Sequence, residues 1–145
     1  MAGADVTIWH NPACSKSRDV LRVIEAAGYT PRVVQYMKAG WDRDELERLI
    51  AETDLTPRAI LRKARGPAGD LGLLDPGVSD DRILDEMVAH PVLVERPIVR
   101  TDRGAALCRP VGRVLDLLEK WPEGPFSRTN GTLLIDAQGL PVPGV

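Results

Sequence analysis

The sequence predicts an α/β fold, and three observations predict it. Residues 5–36 read strand, helix, strand, and a crossover helix between two strands implies that they run parallel. Residues 42–90 carry helical patterns that start at capping residues. Residues 98–108 read as a short hairpin. At 145 residues the chain fits one domain, 1–145, which would bury roughly two-thirds of its unfolded surface.

Each element has a local reason. Val6, Thr7, Ile8 and Trp9 are β-branched or aromatic and suit a strand over 5–9. Asn11-Pro12 turns the chain. Val20, Leu21 and Ile24 recur at helical spacing and predict a helix over about 15–27, which Gly28 stops. A second strand is predicted after Pro31, over residues 32–36, and Ala39-Gly40-Trp41 is a loop. Asp42 caps the next helix, with Glu45 three residues on as in a capping box and Leu46, Leu49 and Ile50 as its apolar face. Thr56-Pro57 opens another helix, with Ile60, Leu61 and Ala64 as its apolar members. Residues 65–78 are rich in Gly and Pro and read as a loop, with Leu71, Leu73 and Leu74 to pack it. Ser79 caps a further helix whose buried stripe is Ile83, Leu84, Met87 and Val88, and His90-Pro91 ends it. Asp102-Arg103-Gly104 is the hairpin turn. Pro110 opens a last helix with Val114, Leu115, Leu117 and Leu118 inward. After Trp121-Pro122 the chain is turn-rich, and Asn130-Gly131 and Gln138-Gly139 bracket a short edge strand over 133–135.

Composition narrows the function. With 43% hydrophobic and 28% charged residues the chain reads as soluble and globular. The net charge of −2 argues against general nucleic-acid affinity. No apolar run approaches the roughly 20 residues that span a membrane. No signal peptide is expected, because Ala4-Asp5 leads straight into a strand. Cys14 and Cys108 lie far apart, and with His10 and His90 they make no zinc spacing. A lone reactive thiol fits the reducing cytoplasm.

The thiol to expect is Cys14, at or just before a helix N-terminus. Free backbone N–H groups and the positive end of the helix dipole favour a thiolate there. Lys16 and Arg18 add positive charge nearby, and Ser17 offers a hydroxyl about one turn on. His10, four residues before Cys14, supports the thiolate if it is an imidazolium, and otherwise is a solvated turn residue. A thiolate among free N–H groups can attack an electrophile and hold an oxyanion. Cys108 beside Leu107 reads as packing, with a redox role left open by its neighbour Arg109.

The segment His10–Arg18, HNPACSKSR, resembles the H-N-P-x-C-x-x-S-R signature of the glutaredoxin-coupled arsenate reductases. The resemblance covers residues 5 to about 128, and residues 128–145 match poorly. It implies a thioredoxin-like mixed sheet flanked by helices, with a helical insertion between the second and third strands. It also implies a cis Pro97 before the third strand. Three motifs carry the arginines of that family. Residues 58–63, RAILRK, point to Arg62. Residues 96–99, RPIV, point to Arg96. Residues 107–110, LCRP, point to Arg109. Their planar forks suit a tetrahedral oxyanion.

The resemblance implies reduction of arsenate to arsenite. Cys14, Arg62, Arg96 and Arg109 are then catalytic, the three arginines bind substrate, and His10, Ser17 and Arg18 support. Cys14 forms a covalent adduct with arsenate, glutathione resolves it as cosubstrate, and glutaredoxin follows. No bound cofactor, metal, nucleic acid or membrane is expected, and the protein is expected to be a cytoplasmic monomer. Two relatives of the family remain as alternatives: a glutathione-dependent thiol reductase with another substrate, and an RNA polymerase-binding regulator. Ser17 stands where the regulators and dithiol oxidoreductases carry a second cysteine, which weakens both the regulator and the dithiol readings.

Overall fold

The computed structural model describes residues 5–145. The expectation about a leader rests on residues 1–4 and lies outside them. Strands β1 (Thr7–Trp9) and β2 (Arg32–Val34) run parallel, Ile8 beside Val33, and helix α1 (Ser15–Ala26) crosses between them. Strand β3 (Ile98–Thr101) is antiparallel to β1, with Val99 opposite Ile8, and β4 (Gly104–Leu107) is antiparallel to β3. The sheet order is β2-β1-β3-β4. This is the mixed, thioredoxin-like sheet with flanking helices. Between β2 and β3 lie α2 (Tyr36–Ala39), α3 (Arg43–Glu52), α4 (Pro57–Ile60) and α5 (Asp80–Ala89), the helical insertion. The Arg96-Pro97 peptide is cis, as expected, and so are Arg109-Pro110 and Gly124-Pro125.

The chain divides into two compact units: the segment up to Gln35 together with Arg96–Val145, and Tyr36–Glu95. The core of the first packs Ile8 from β1 against Val20, Val23 and Ile24 of α1, with Val99 of β3 and Val111 and Val114 beyond. Each such aliphatic side chain contributes about 1.5–3 kcal/mol on full burial. Leu134 and Ile135 join this core from β6 (Leu133–Ile135), which pairs antiparallel with β5 (Phe126–Ser127).

In the second unit the caps hold as read. The Asp42 carboxylate accepts the Glu45 N–H at 3.1 Å, the Thr56 hydroxyl accepts that of Ala59 at 3.2 Å, and the Ser79 hydroxyl that of Arg82 at 3.1 Å. Leu46, Leu49 and Ile50, then Ile83, Leu84 and Met87, are buried stripes.

Three expectations change. The second strand stops at Val34, and Tyr36 opens α2, where its ring stacks on Trp41 at 5.2 Å and its hydroxyl donates to the Val94 carbonyl. Helix α4 is one turn, because Leu61 turns extended and bridges Val94; Ala64 is exposed and Leu61 is buried by that bridge. The last helix, Val111–Leu117, is 3₁₀ rather than α. Val111, Val114 and Leu117 fall at three-residue spacing, as do Leu115 and Leu118, and a three-residue turn stacks such positions on one face.

Candidate active site

The site in the first unit is built on the turn between β1 and α1. The His10 N–H continues the parallel ladder to the Val34 carbonyl at 2.8 Å. Asn11 then folds the turn: its side-chain oxygen accepts the Ala13 N–H at 3.0 Å and its carbonyl the Cys14 N–H at 3.0 Å. Cys14 is the N-cap of α1, with extended backbone, and its carbonyl accepts the Arg18 N–H at 3.0 Å. Its thiol is half-buried. Burial pushes the thiol pKa up, but the Ser17 N–H, the charge and hydrogen bond of the Arg96 guanidinium, and the Lys16 N–H outweigh it and hold it below the ordinary value.

The cation at the thiol is therefore Arg96. Lys16 acts through its backbone, and the Arg18 guanidinium donates instead to the Pro12 carbonyl at 2.9 Å, holding the turn. Ser17 likewise serves the thiol through its N–H. Its hydroxyl is fully buried, 2.7 Å from His10 Nδ1, and accepts the Asn11 N–H at 3.1 Å. His10 is only 5% exposed, so it is not a solvated turn residue. Burial, then the Arg18 charge, lower its pKa against an opposing Glu25. The lowered pKa favours the neutral imidazole over the imidazolium.

Arg96 and Arg109 flank the hairpin. The Arg109 guanidinium donates to the Arg96 carbonyl at 3.2 Å, and the Cys108 N–H donates to the Pro97 carbonyl at 2.9 Å, so one side-chain bond and one main-chain bond tie the two motifs. Arg96 and Arg109 are half-buried. Arg62 belongs to the second unit, where its N–H donates to the Leu93 carbonyl at 2.7 Å and its Nε to the Ala64 carbonyl at 3.1 Å. In the same motif Arg58 has a structural task, donating to the carbonyls of Leu73, Asp75 and Val78 across the 65–78 loop. Cys108 is wholly buried in the core, and burial pushes its thiol up to about 12.

Sequence reasoning missed Asp19. It is the only buried carboxylate among the described residues. Beside Arg22, one turn on, its partners are Arg128 and Thr129, more than a hundred positions away, and no local pattern pairs it with those two.

An N-capping cysteine with a lowered pKa, a cis-proline motif whose arginine reaches its sulfur, and a mixed sheet define a thioredoxin-like thiol protein. The family model that matches, over residues 9–117, is that of the ArsC family. The arsenate reductase ArsI2 of Synechocystis is 53% identical over 134 residues, 92% of this chain and 96% of that protein. The arsenate reductase of Escherichia coli K12 is 42% identical over 136 residues, 94% of this chain and 96% of that protein. The solved arsenate reductase from Vibrio cholerae superposes with a TM-score of 0.75 at 39% identity, over 79% of this chain and 98% of that one. The chain belongs to the ArsC family. Among the described residues no helix is long and apolar enough to cross a membrane.

Proposed function

We propose that the protein is an arsenate reductase that works through a Cys14–arsenate adduct resolved by glutathione and glutaredoxin. The observation that carries this reading is the Cys14 thiol, held by the Ser17 N–H and by the Arg96 guanidinium. One arginine then serves both partners of the first step, the attacking sulfur and the incoming oxyanion. The names of relatives that align along nearly their whole length support the choice of substrate.

In the proposed reaction Arg96 and Arg109 bind arsenate, with Arg62 as the third arginine that the family resemblance implies. The Cys14 thiolate attacks arsenic and a protonated oxygen leaves as water. Glutathione adds next, and the glutaredoxin thiol takes it as a mixed disulfide. The two thiols together lose two electrons and arsenic gains them to become As(III); water then cleaves the Cys14–arsenic bond, its oxygen going to arsenic, so that arsenite leaves and the Cys14 thiol is regenerated. Arg18 holds the turn and the His10–Ser17 pair backs it. A lone thiol with an external resolving thiol works in a reducing cytoplasm, here as a monomer.

The test is turnover of arsenate with glutathione and glutaredoxin, run beside Cys14→Ser. Loss of glutathione- and glutaredoxin-dependent arsenite formation in that variant is expected. Wild-type protein that forms no arsenite under these conditions overturns the reading.

A further inference from the structure

A buried carboxylate on the catalytic helix binds the start of the C-terminal hairpin, beside core packing and contacts from Arg22. Asp19, on α1, is 1% exposed. Its Oδ2 accepts the Arg128 Nε–H at 2.8 Å. Its Oδ1 accepts the Thr129 N–H at 3.3 Å, the Thr129 hydroxyl at 3.1 Å and Arg22 Nη1 at 3.3 Å. Arg22 also donates to the Ser127 carbonyl at 3.2 Å and lies 4.9 Å over the Phe126 ring. A buried carboxylate is costly unless paired and fully hydrogen-bonded, and this one is both. Burial pushes its pKa up, but the Arg128 and Thr129 bonds outweigh that and hold the group below the usual carboxylate range, so it is ionised at neutral pH.

Asp19 sits two residues beyond Ser17, within one turn of the backbone N–H groups that hold the Cys14 sulfur. The aim of those N–H groups depends on how firmly the first turns of α1 are seated. We propose that Asp19 is a positioning residue: by binding Arg128 and Thr129 to α1 it fixes the helix start that presents the Lys16 and Ser17 N–H groups to Cys14. The proposal gives Arg128 and Thr129 a task in the site. It rests on Cys14 being the nucleophile, not on arsenate being the substrate.

The test reads the free protein. The rate of Cys14 alkylation by iodoacetamide is followed against pH for wild type, Asp19→Asn and Thr129→Val, with folding checked by circular dichroism. A role through charge alone and a role through position predict opposite signs. Removing a nearby negative charge without moving the helix lowers the thiol midpoint. Loosening the helix start raises it, and a rise of about half a pH unit or more is expected for Asp19→Asn. A midpoint that falls or stays put overturns the proposal. If Asp19→Asn does not fold, Thr129→Val carries the test, since it changes no charge: a raised midpoint supports positioning and an unchanged one overturns it. A wild-type midpoint at the ordinary cysteine value sinks both the thiolate and this proposal. A lowered midpoint without arsenate turnover sinks only the substrate assignment.

Discussion

Cys14 and Cys108 show how one residue type takes opposite chemistry from its surroundings. Cys14 meets free N–H groups and a guanidinium, whereas Cys108 is buried in the core with its thiol donating to the Ala106 carbonyl. Cys14 alkylation should therefore show a midpoint below the roughly 8.5 of a free thiol, with reactivity present above that midpoint and lost as pH falls through it. Arg96→Ala should raise the midpoint, because both a charge and a hydrogen bond disappear; an unchanged midpoint means that Arg96 does not act on the thiol. Cys108, pushed up to about 12 and wholly buried, should resist the same reagent in the folded chain. Cys108→Ala should keep most of the turnover. Its complete loss in a folded variant would show that Cys108 takes part in the redox chemistry. The position of Cys14 was legible, since strand, turn and helix signals meet there. The lowered pKa of His10 was not, because burial and then the Arg18 charge cause it.

At the scale of elements, local chemistry was read well. The caps at Asp42, Thr56 and Ser79 each form the expected side-chain bond to a backbone N–H three residues on. Ser79→Ala should lower stability by about 0.5–2 kcal/mol. Thermal unfolding measures it, and for a chain of this size the shift in Tm is about 2–4 °C per kcal/mol. An unchanged Tm means that the cap bond does not contribute. Element ends were read less well, and tertiary partners account for that. Tyr36 leaves the strand because its hydroxyl has the Val94 carbonyl and its ring has Trp41. Leu61 leaves the helix because Val94 offers it a bridge. The segment after Pro110 kept its apolar pattern, but three-residue spacing fits both helix types over so short a run.

At the scale of the molecule, the proposed function asks three motif arginines, far apart in the chain, to serve one oxyanion. Removing any one should cost a charge-assisted hydrogen bond, about 1.5–3 kcal/mol, and lower kcat/KM by roughly ten- to more than a hundredfold. Coupled turnover of Arg62→Ala, Arg96→Ala and Arg109→Ala measures this, and Lys should rescue poorly for want of the planar fork. Arg48, exposed on α3, is the better control. Arg43 reads from sequence as an equally free surface charge, but it is ion-paired to Asp81 and Asp85. If the three motif variants keep near wild-type kcat/KM, the substrate assignment fails and a thiol reductase with another substrate moves ahead.

What the sequence by itself determined lies within a few residues along the chain. It includes the strand, turn and helix around Cys14, the three caps and the hairpin at Asp102-Arg103-Gly104. Backbone preference and side-chain bonds to nearby N–H groups specify these, and both are properties of neighbours. Tertiary structure alone decided which cation serves the thiol, that the His10 pKa is lowered, and that Arg128 and Thr129 hold Asp19. Each of these depends on groups from distant segments and on exclusion of water. Charge interactions and desolvation costs follow distance and burial in space, and spacing along the chain carries neither.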